Sequence, residues 1–476
     1  MTDVSENIDS TDRIASLIRE KNELSQQLKQ LSAMYDSLMA EKERLESILS
    51  VVPAQYVPES VKVDTPQQHL LKFKMVTVMY LDIRATASLT SCENSAEAID
   101  ELDQVMFHFN DIAEKYRLQV SKTIGYSFLC AGGIPIKNIT NPIDVVLAAL
   151  EMNDYLQNIS YRAADTNGEK FWQLRIGIHT GPVTATASGR KKISYDIKGD
   201  TVNNASRIAA AAEVNKINIS VFTYELVKEF FVTDFCGVIP VTYRDLEMYQ
   251  IKRLKKDFSV NVNRGVYPNG CFQIKYLLRQ FTDLQEFILD KLDRELPPFL
   301  YYHNTRHTID VINQVEILGY GEGVSDEELL LLKTAALFHD TGYIVGSENH
   351  EYFGTQIARD ILPNYNYTQD QIDRICSLIL ATKLPPNPTN IYERIICDAD
   401  LVYLGRTDFI PVSNMLYDEL KALGSNLDID AWNQKQVDFL TKHHYFTETA
   451  IKVLEVGKEY QIERLKNLIA KPNAQL

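Results

Sequence analysis

Cysteine is scarce in this chain. The 476 residues hold six, at Cys92, Cys130, Cys236, Cys271, Cys376 and Cys397, with no Cys-x-x-Cys pair. That excludes a zinc ribbon and a disulfide framework and fits thiols kept reduced in a cytoplasmic setting. No window approaches the roughly 18 apolar residues of a membrane helix, and the N-terminus, MTDVSENIDS, is acidic and polar where a secretory leader is basic and then apolar. The expectation is a cytoplasmic protein without membrane insertion. Basic residues are also in deficit: 49 Lys and Arg stand against 64 Asp and Glu, a net charge of -15. Such a balance argues against nucleic acid as a partner. Small phosphorylated ligands stay open, because a local site can be positive or metal-bearing.

With 45% hydrophobic residues the chain is globular in composition, and its length exceeds what one hydrophobic core serves, so two or three domains are expected. After a polar tail, 1–11, Leu17, Leu24, Leu31, Leu38 and Leu45 recur every seven residues, with Ile14, Leu28, Tyr35 and Leu49 on a companion seam. Lys21 and Lys42 fall on that seam, which costs stability but favours a register-fixed parallel dimer. A dimeric coiled coil is expected over 12–52. Pro53 and Pro58 then stop the helix and open a stiff connector, 53–69.

Residues 70–252 alternate strand and helix patterns. MVTVMYLDI is a β-rich run, 96–116 has helical periodicity, and LQVSKTIGYSFLCAG suggests two short strands about a turn at Ile124-Gly125. WQLRIGIHTGPVTATASG suggests two further strands, and GDTVNNASRIAAAAE a helix capped by Asp200 or Thr201. A basic, Asn-rich passage, 253–272, looks like a linker, and from 273 to 476 the pattern is helical. The fold class expected is multidomain α+β.

A carboxylate at the end of a buried strand, as Asp82 in YLDI, is costly unless paired or metal-bound. Asn203 and Arg207 stand four apart on one helix face that could hold ribose and phosphates. In YLDI, KTIG, RIGIHTGPV and YDIKGDTVNNASR, in that order, residues 70–252 resemble the class III adenylate and guanylate cyclases. The resemblance implies a ferredoxin-like α/β domain that dimerises head to tail and builds composite sites between chains. It makes Asp82 a ligand of Mg or Mn acting with ATP, Lys122 and Asp196 the pair that recognises adenine, Asn203 the residue that orients ribose, and Arg207 the stabiliser of phosphate charge.

The chain departs from the pattern where the family places its second metal-binding Asp, just after the hairpin Gly: here stands Tyr126. A phenol is neutral near pH 7 and offers one oxygen, so it does not replace a carboxylate on a divalent cation. Ala85-Thr86-Ala87 replaces a Gly-Phe-Thr, Thr186 a hairpin Gly, and Arg244 is only a loose match for the late phosphate-binding Lys. A cyclase domain degenerate in its chemistry, one that binds nucleotide or dimerises, is therefore expected.

The C-terminal part places His303 and His307 four apart in YYHNTRHTIDV, His339 and Asp340 side by side in LFHDTGY, and Asp398 and Asp400 in ICDADLVYLG. His and Asp on separate helices are what a bundle needs to surround a metal. The arrangement resembles the HD-domain metal phosphohydrolases, an all-α bundle, over 273–476, and its YHNxxH opening resembles the cyclic nucleotide phosphodiesterases. The resemblance makes His307, His339, Asp340 and Asp400 ligands of a divalent metal (Mg, Mn, Zn or Fe), with Asp398 the rival to Asp400. It makes His303 the general acid that protonates the leaving 3′-oxygen. His350 in SENHEYFG either joins a second metal or, with Asn349 and Glu351, caps a helix. The phosphodiesterase pattern has a His shortly after the HD pair, and HDTGYI has none. His443 and His444 are taken as packing or surface residues.

Together these readings describe a homodimer, joined through the coiled coil and the cyclase-like domain, whose HD domain hydrolyses a phosphoester. The fused domains favour a 3′,5′-cyclic nucleotide, cyclic AMP first, with the cyclase-like domain as regulator. The alternatives are an adenylate cyclase that obtains its metals from a partner chain, and a non-catalytic nucleotide sensor.

Overall fold

The computed structural model describes residues 70–85, 95–124, 127–167, 172–188, 194–241, 244–261 and 264–470. The heptad segment 12–52, the connector 53–69 and Tyr126 lie outside them.

The first described element, β1 (Leu70–Ala85), is buried on both faces. Val76 and Val78 pack on one side of the sheet, and Met79, Leu81 and Ile83 on the other, as the period of two dictates. Helix α1 (Ser95–Lys115) leads to the hairpin β2 (Gln119–Ile124) and β3 (Ser127–Gly132), and α2 (Asn141–Asn167) comes next. Strand β4 (Trp172–Ser188) is one continuous element, where the sequence suggested two strands. The Gly-Pro pair inside it is absorbed by an irregularity in the facing strand, where the β1 register shifts between Phe73 and Val76 opposite Gly181. Then come β5 (Ser194–Lys198), α3 (Asp200–Ala211), β6 (Lys216–Ser220), α4 (Val221–Val227), β7 (Phe231–Val241) and β8 (Arg244–Leu254). The sheet order is β2-β3-β1-β4-β6-β8-β7, with β5 paired to β4.

Gly177 lets α3 approach the sheet closely. A Cβ there would lie 2.2 Å from the Ala205 carbonyl oxygen and the Ala209 nitrogen. The cap expected from Asp200 or Thr201 is not formed. Gly199, at φ 136, takes the cap position without a side-chain bond, and the Thr201 hydroxyl instead donates to the Pro182 carbonyl at 2.6 Å.

The stretch read as a linker folds back on itself, with Leu254 N–H bonding Gly265 and Val260 N–H bonding Tyr267. Asn269 caps the next helix, α5 (Gly270–Glu295). From there the described residues form helices only: α6 (Thr305–Gly321), α7 (Asp326–Phe338), α8 (His350–Ile361), α9 (Gln369–Ala381), α10 (Ile391–Asp400), α11 (Phe409–Ala422), α12 (Ile429–Lys442) and α13 (Glu448–Ala470), with single-turn segments such as Thr341–Ile344 between them. Helix α5 ties the two parts together. Its Tyr276 hydroxyl donates to Asp144 at 2.8 Å, its Asp283 accepts from Ile139 N–H at 2.7 Å, and Arg279 donates to the Leu226 carbonyl at 2.8 Å.

Helix α7 is the buried axis of the bundle. Ser325 and Glu328 close its N-terminus as a capping box, and Leu330, Leu332, Leu337 and Phe338 are wholly buried. Each such side chain contributes roughly 1.5–3 kcal/mol. Because the helix is buried all round, its C-terminal end lies in the core, and it delivers His339 and Asp340 there.

Candidate metal centre and its proton donor

Three helices converge on one point. Asn304 caps α6 by accepting from the N–H groups of Arg306 and His307, which fixes His307 in the first helical turn. His339 and Asp340 leave the buried end of α7, and Asp400 is the last residue of α10. His307 Nε2 lies 3.0 Å from Asp400 Oδ1 and 3.3 Å from His339 Nε2. One ligand atom from each of His307, His339 and Asp400 falls within 4.8 Å of the others. Asp340 Oδ2 is 3.1 Å from His339 Nε2 and 3.4 Å from His307 Nε2, yet this buried oxygen makes no hydrogen bond.

The donor set suits a divalent cation. His339 Nδ1 faces the Ala336 carbonyl at 2.8 Å. A carbonyl only accepts, so Nδ1 carries the hydrogen and the Nε2 lone pair points into the cluster. Lone pairs of two imidazoles and two carboxylates then converge on one small space, and an oxygen without a hydrogen bond among them is explained by a cation. Without one the groups serve as each other's counter-ions. Burial disfavours charge on His339, but Asp340 and Asp400 hold its pKa well above the ordinary histidine value. Burial likewise works against the charged forms of Asp340 and Asp400, and the histidines nevertheless hold both far below the usual carboxylate range.

His350, first residue of α8, approaches from the other side. Its Nδ1 faces the Ser347 carbonyl at 3.1 Å, so its Nε2 lone pair is turned toward Asp340 Oδ1 at 3.6 Å and Glu351 Oε1 at 3.5 Å. The capping role is not taken up: Asn349 stands at the N-cap with φ 56 and makes no side-chain cap bond.

His303 sits beside the cluster and is held by a residue that the sequence reading missed. Glu419, on α11 and only 1% exposed, accepts from the backbone N–H groups of Tyr302 at 2.9 Å and His303 at 3.0 Å, and its other oxygen pairs with His303 Nδ1. Burial lowers the pKa of the imidazole. The Glu419 hydrogen bond and the charges of Asp340, Glu419 and Asp400 outweigh it, and the net shift is upward. Glu419 itself is held below its ordinary value by His303 in spite of burial. The ring's other nitrogen, Nε2, lies 3.2 Å from the Tyr343 hydroxyl.

Asp398, the rival to Asp400, faces away. It is wholly buried and accepts from the N–H groups of Phe446 and Thr447 and from the Thr447 hydroxyl, at 2.7 to 3.1 Å. His443 lies in the same region, outside the centre. Lys458 donates to its carbonyl at 2.6 Å.

The residues expected in the sheet domain are more dispersed. Asp82 lies in β1 opposite Ser127 and Arg175, with its carboxylate bonded by Arg84 at 2.8 Å. Asp196 is on β5 and pairs with Lys198 at 3.1 Å. Lys122 belongs to β2. Asn203 and Arg207 are exposed on one face of α3, with Arg207 reaching the Pro240 carbonyl at 3.4 Å. Among the described residues no hydrogen bond or ion pair joins Asp82 to Asn203 or Arg207, so within one chain the two sets remain separate.

Comparison with known proteins finds two family matches in the chain. The adenylate and guanylate cyclase catalytic domain matches residues 69–253, and the HD domain matches 305–403. The human guanylate cyclase soluble subunit beta-2 is 27% identical over 208 residues, 44% of this chain and 33% of that protein. An adenylate cyclase of Mycobacterium tuberculosis is 28% identical over 204 residues, 42% of this chain and 44% of that one. The chain thus spans less than half the length of these relatives. Among solved structures, the adenylyl cyclase CyaB from P. aeruginosa is 28% identical, covering 40% of this chain and all of that one, with a TM-score of 0.36.

Proposed function

We propose that this chain, which carries a class III adenylate and guanylate cyclase catalytic domain followed by an HD domain, is a metal-dependent phosphodiesterase of cyclic-nucleotide signalling. In this reading the HD domain hydrolyses a 3′,5′-cyclic nucleotide, cyclic AMP in preference, and the cyclase domain binds nucleotide and dimerises as its regulator. The observation that carries it is the pairing of a cation-shaped cluster with a half-buried proton donor, His303, held by the buried Glu419.

His307, His339, Asp340 and Asp400 would hold the cation, and His350 with Asp340 Oδ1 a second one. A divalent ion there lowers the pKa of water and neutralises phosphate charge. The chain's own residues do the rest. Glu419 fixes Nδ1 of His303, so the ring can release a proton only from Nε2, and that proton goes to the leaving 3′-oxygen as its bond to phosphorus breaks. The protein side of the mechanism is therefore a general acid aimed by a buried carboxylate.

A second reading has its own support. Asp196, Asn203 and Arg207 are all present in the fold, and the human and mycobacterial relatives are cyclases. An adenylate cyclase that takes its metals from a partner chain bearing both Asp residues fits them. Incubating the purified protein and Mn²⁺ with cyclic AMP, cyclic GMP, ATP and GTP separates the readings. Hydrolysis of cyclic AMP that disappears in His339→Ala supports the first. Cyclic AMP made from ATP by this chain alone overturns the proposed division of labour.

A further inference from the structure

Tyr343 occupies the centre of the site without being a metal ligand or the proton donor. It comes three residues after Asp340, in the single turn Thr341–Ile344, close to where the phosphodiesterase pattern carries a His. Its ring is stacked on His303, with centroids 4.3 Å apart, and on His350 at 4.1 Å. Its hydroxyl lies 3.2 Å from His303 Nε2. Because Nδ1 is engaged by Glu419, Nε2 is the ring nitrogen left to face a substrate, and the Tyr343 hydroxyl is its hydrogen-bond partner. The phenol itself stays protonated: burial and the carboxylates of Asp340, Glu419 and Asp400 push its pKa up.

We propose that Tyr343 is the positioning residue of the proton donor. Its hydroxyl holds Nε2 of His303 by a hydrogen bond until substrate arrives, and its ring, wedged between His303 and His350, keeps that nitrogen pointed at the place the leaving oxygen enters. The inference rests on the phosphodiesterase reading. In the step it serves, an oxygen derived from water forms the new bond to phosphorus and loses its proton to solvent. The P–O3′ bond breaks with its electron pair on O3′, and that oxygen takes the Nε2 proton. His303 is left neutral, keeping its Nδ1 hydrogen in the bond to Glu419.

Tyr343→Phe removes the hydroxyl and keeps both ring stacks, so the fold is spared, and two measurements decide. The first is histidine-selective 15N–1H NMR of the metal-free full chain. The His303 Nε2 signal is expected to move in Tyr343→Phe while the His307 and His339 signals stay in place; an unmoved His303 signal overturns the bond. The second compares leaving groups in the metal-loaded protein. On cyclic AMP, whose alkoxide needs the proton, kcat is expected to fall about 10-fold with KM within about 2-fold. On bis(p-nitrophenyl) phosphate, whose leaving group needs no proton, the loss is expected to be several-fold smaller. Equal losses on both substrates reduce Tyr343 to a packing residue and sink the proposal. Failure to hydrolyse either diester would refute the phosphodiesterase reading, while the NMR comparison still decides the Tyr343 contact.

Discussion

Glu419 and His303, 116 residues apart, are bonded twice, through the ring nitrogen and the His303 backbone N–H, and Glu419 also accepts from the backbone N–H of Tyr302. Replacing the acid by Gln keeps the shape but removes the charge that favours the imidazolium. Glu419→Gln is expected to lower kcat on cyclic AMP by about 10²-fold or more, the range of general-acid catalysis. It should also move the alkaline limb of the pH–rate profile to lower pH. The sign comes from the shifts. His303 is raised above 6.5, so its contribution to stability is complete below 6.5 and is lost as pH rises through the folded value. Glu419 is lowered below 4.5, so its contribution is present above 4.5 and is lost as pH falls through its folded value. The pair is strongest between those limits, and wild type minus Glu419→Gln stability, measured by urea unfolding across pH, should peak there.

The cation reading has a test that needs no turnover. If His307, His339, Asp340 and Asp400 hold a divalent ion, Mn²⁺ at about 100 times its dissociation constant adds about 2.7 kcal/mol to the folded state. Calorimetry should show the HD-domain transition shifted upward by several degrees, and EDTA should reverse it. In His339→Ala the shift should vanish. An equal shift in the variant would place the ion elsewhere.

These partners differ in how plainly the sequence announced them. His303, His307, His339, Asp340 and Asp400 could be recognised because helix geometry converts spacing into a shared face and because His-Asp at the end of an apolar helix is rare without a use. Glu419 could not: DELKAL has the look of a solvated helix face, and its burial depends on where α11 docks. Tyr343 was visible only as a missing His. Two strands were expected where β4 is one, because the Gly-Pro pair reads as a break until the facing irregularity in β1 is seen. Asp400 was preferred to Asp398 on the resemblance alone; what the sequence could not show is the partner set of Asp398, since only the fold brings Phe446 and Thr447 onto it.

Tyr126→Asp tests whether the cyclase domain lacks only its second metal-binding acid. Asp82 keeps its place in β1, and Asn203 and Arg207 are exposed on α3. The variant is therefore expected to make cyclic AMP from ATP with Mn²⁺ at least about 10-fold faster than wild type, a modest part of what a missing metal ligand costs. The assay must be run with His339→Ala in the same chain, so that hydrolysis does not consume the product. No synthesis would mean that the other departures, Ala85-Thr86-Ala87 or Thr186, are disabling on their own.

His443 gives the bundle a weakness toward acid that is independent of catalysis. Its ring is 7% exposed, neither nitrogen has a hydrogen-bond partner, and Lys458, itself 3% exposed, lies against its backbone. Burial first, and then the charges of Lys458 and His444, lower its pKa from 6.5 to about 4. The unfolded chain therefore binds a proton near pH 6.5 that the folded chain refuses until pH 4. Stability is full above 6.5 and falls across that interval, by roughly 3 kcal/mol at the acid end. His443→Phe fills the same apolar site, stacked near Phe439 and Tyr445, without a titrating group. Its unfolding free energy should exceed wild type by a margin that grows as pH drops from 6.5 to 4 and is constant above 7. A margin independent of pH would show that His443 is protonated in the folded protein after all.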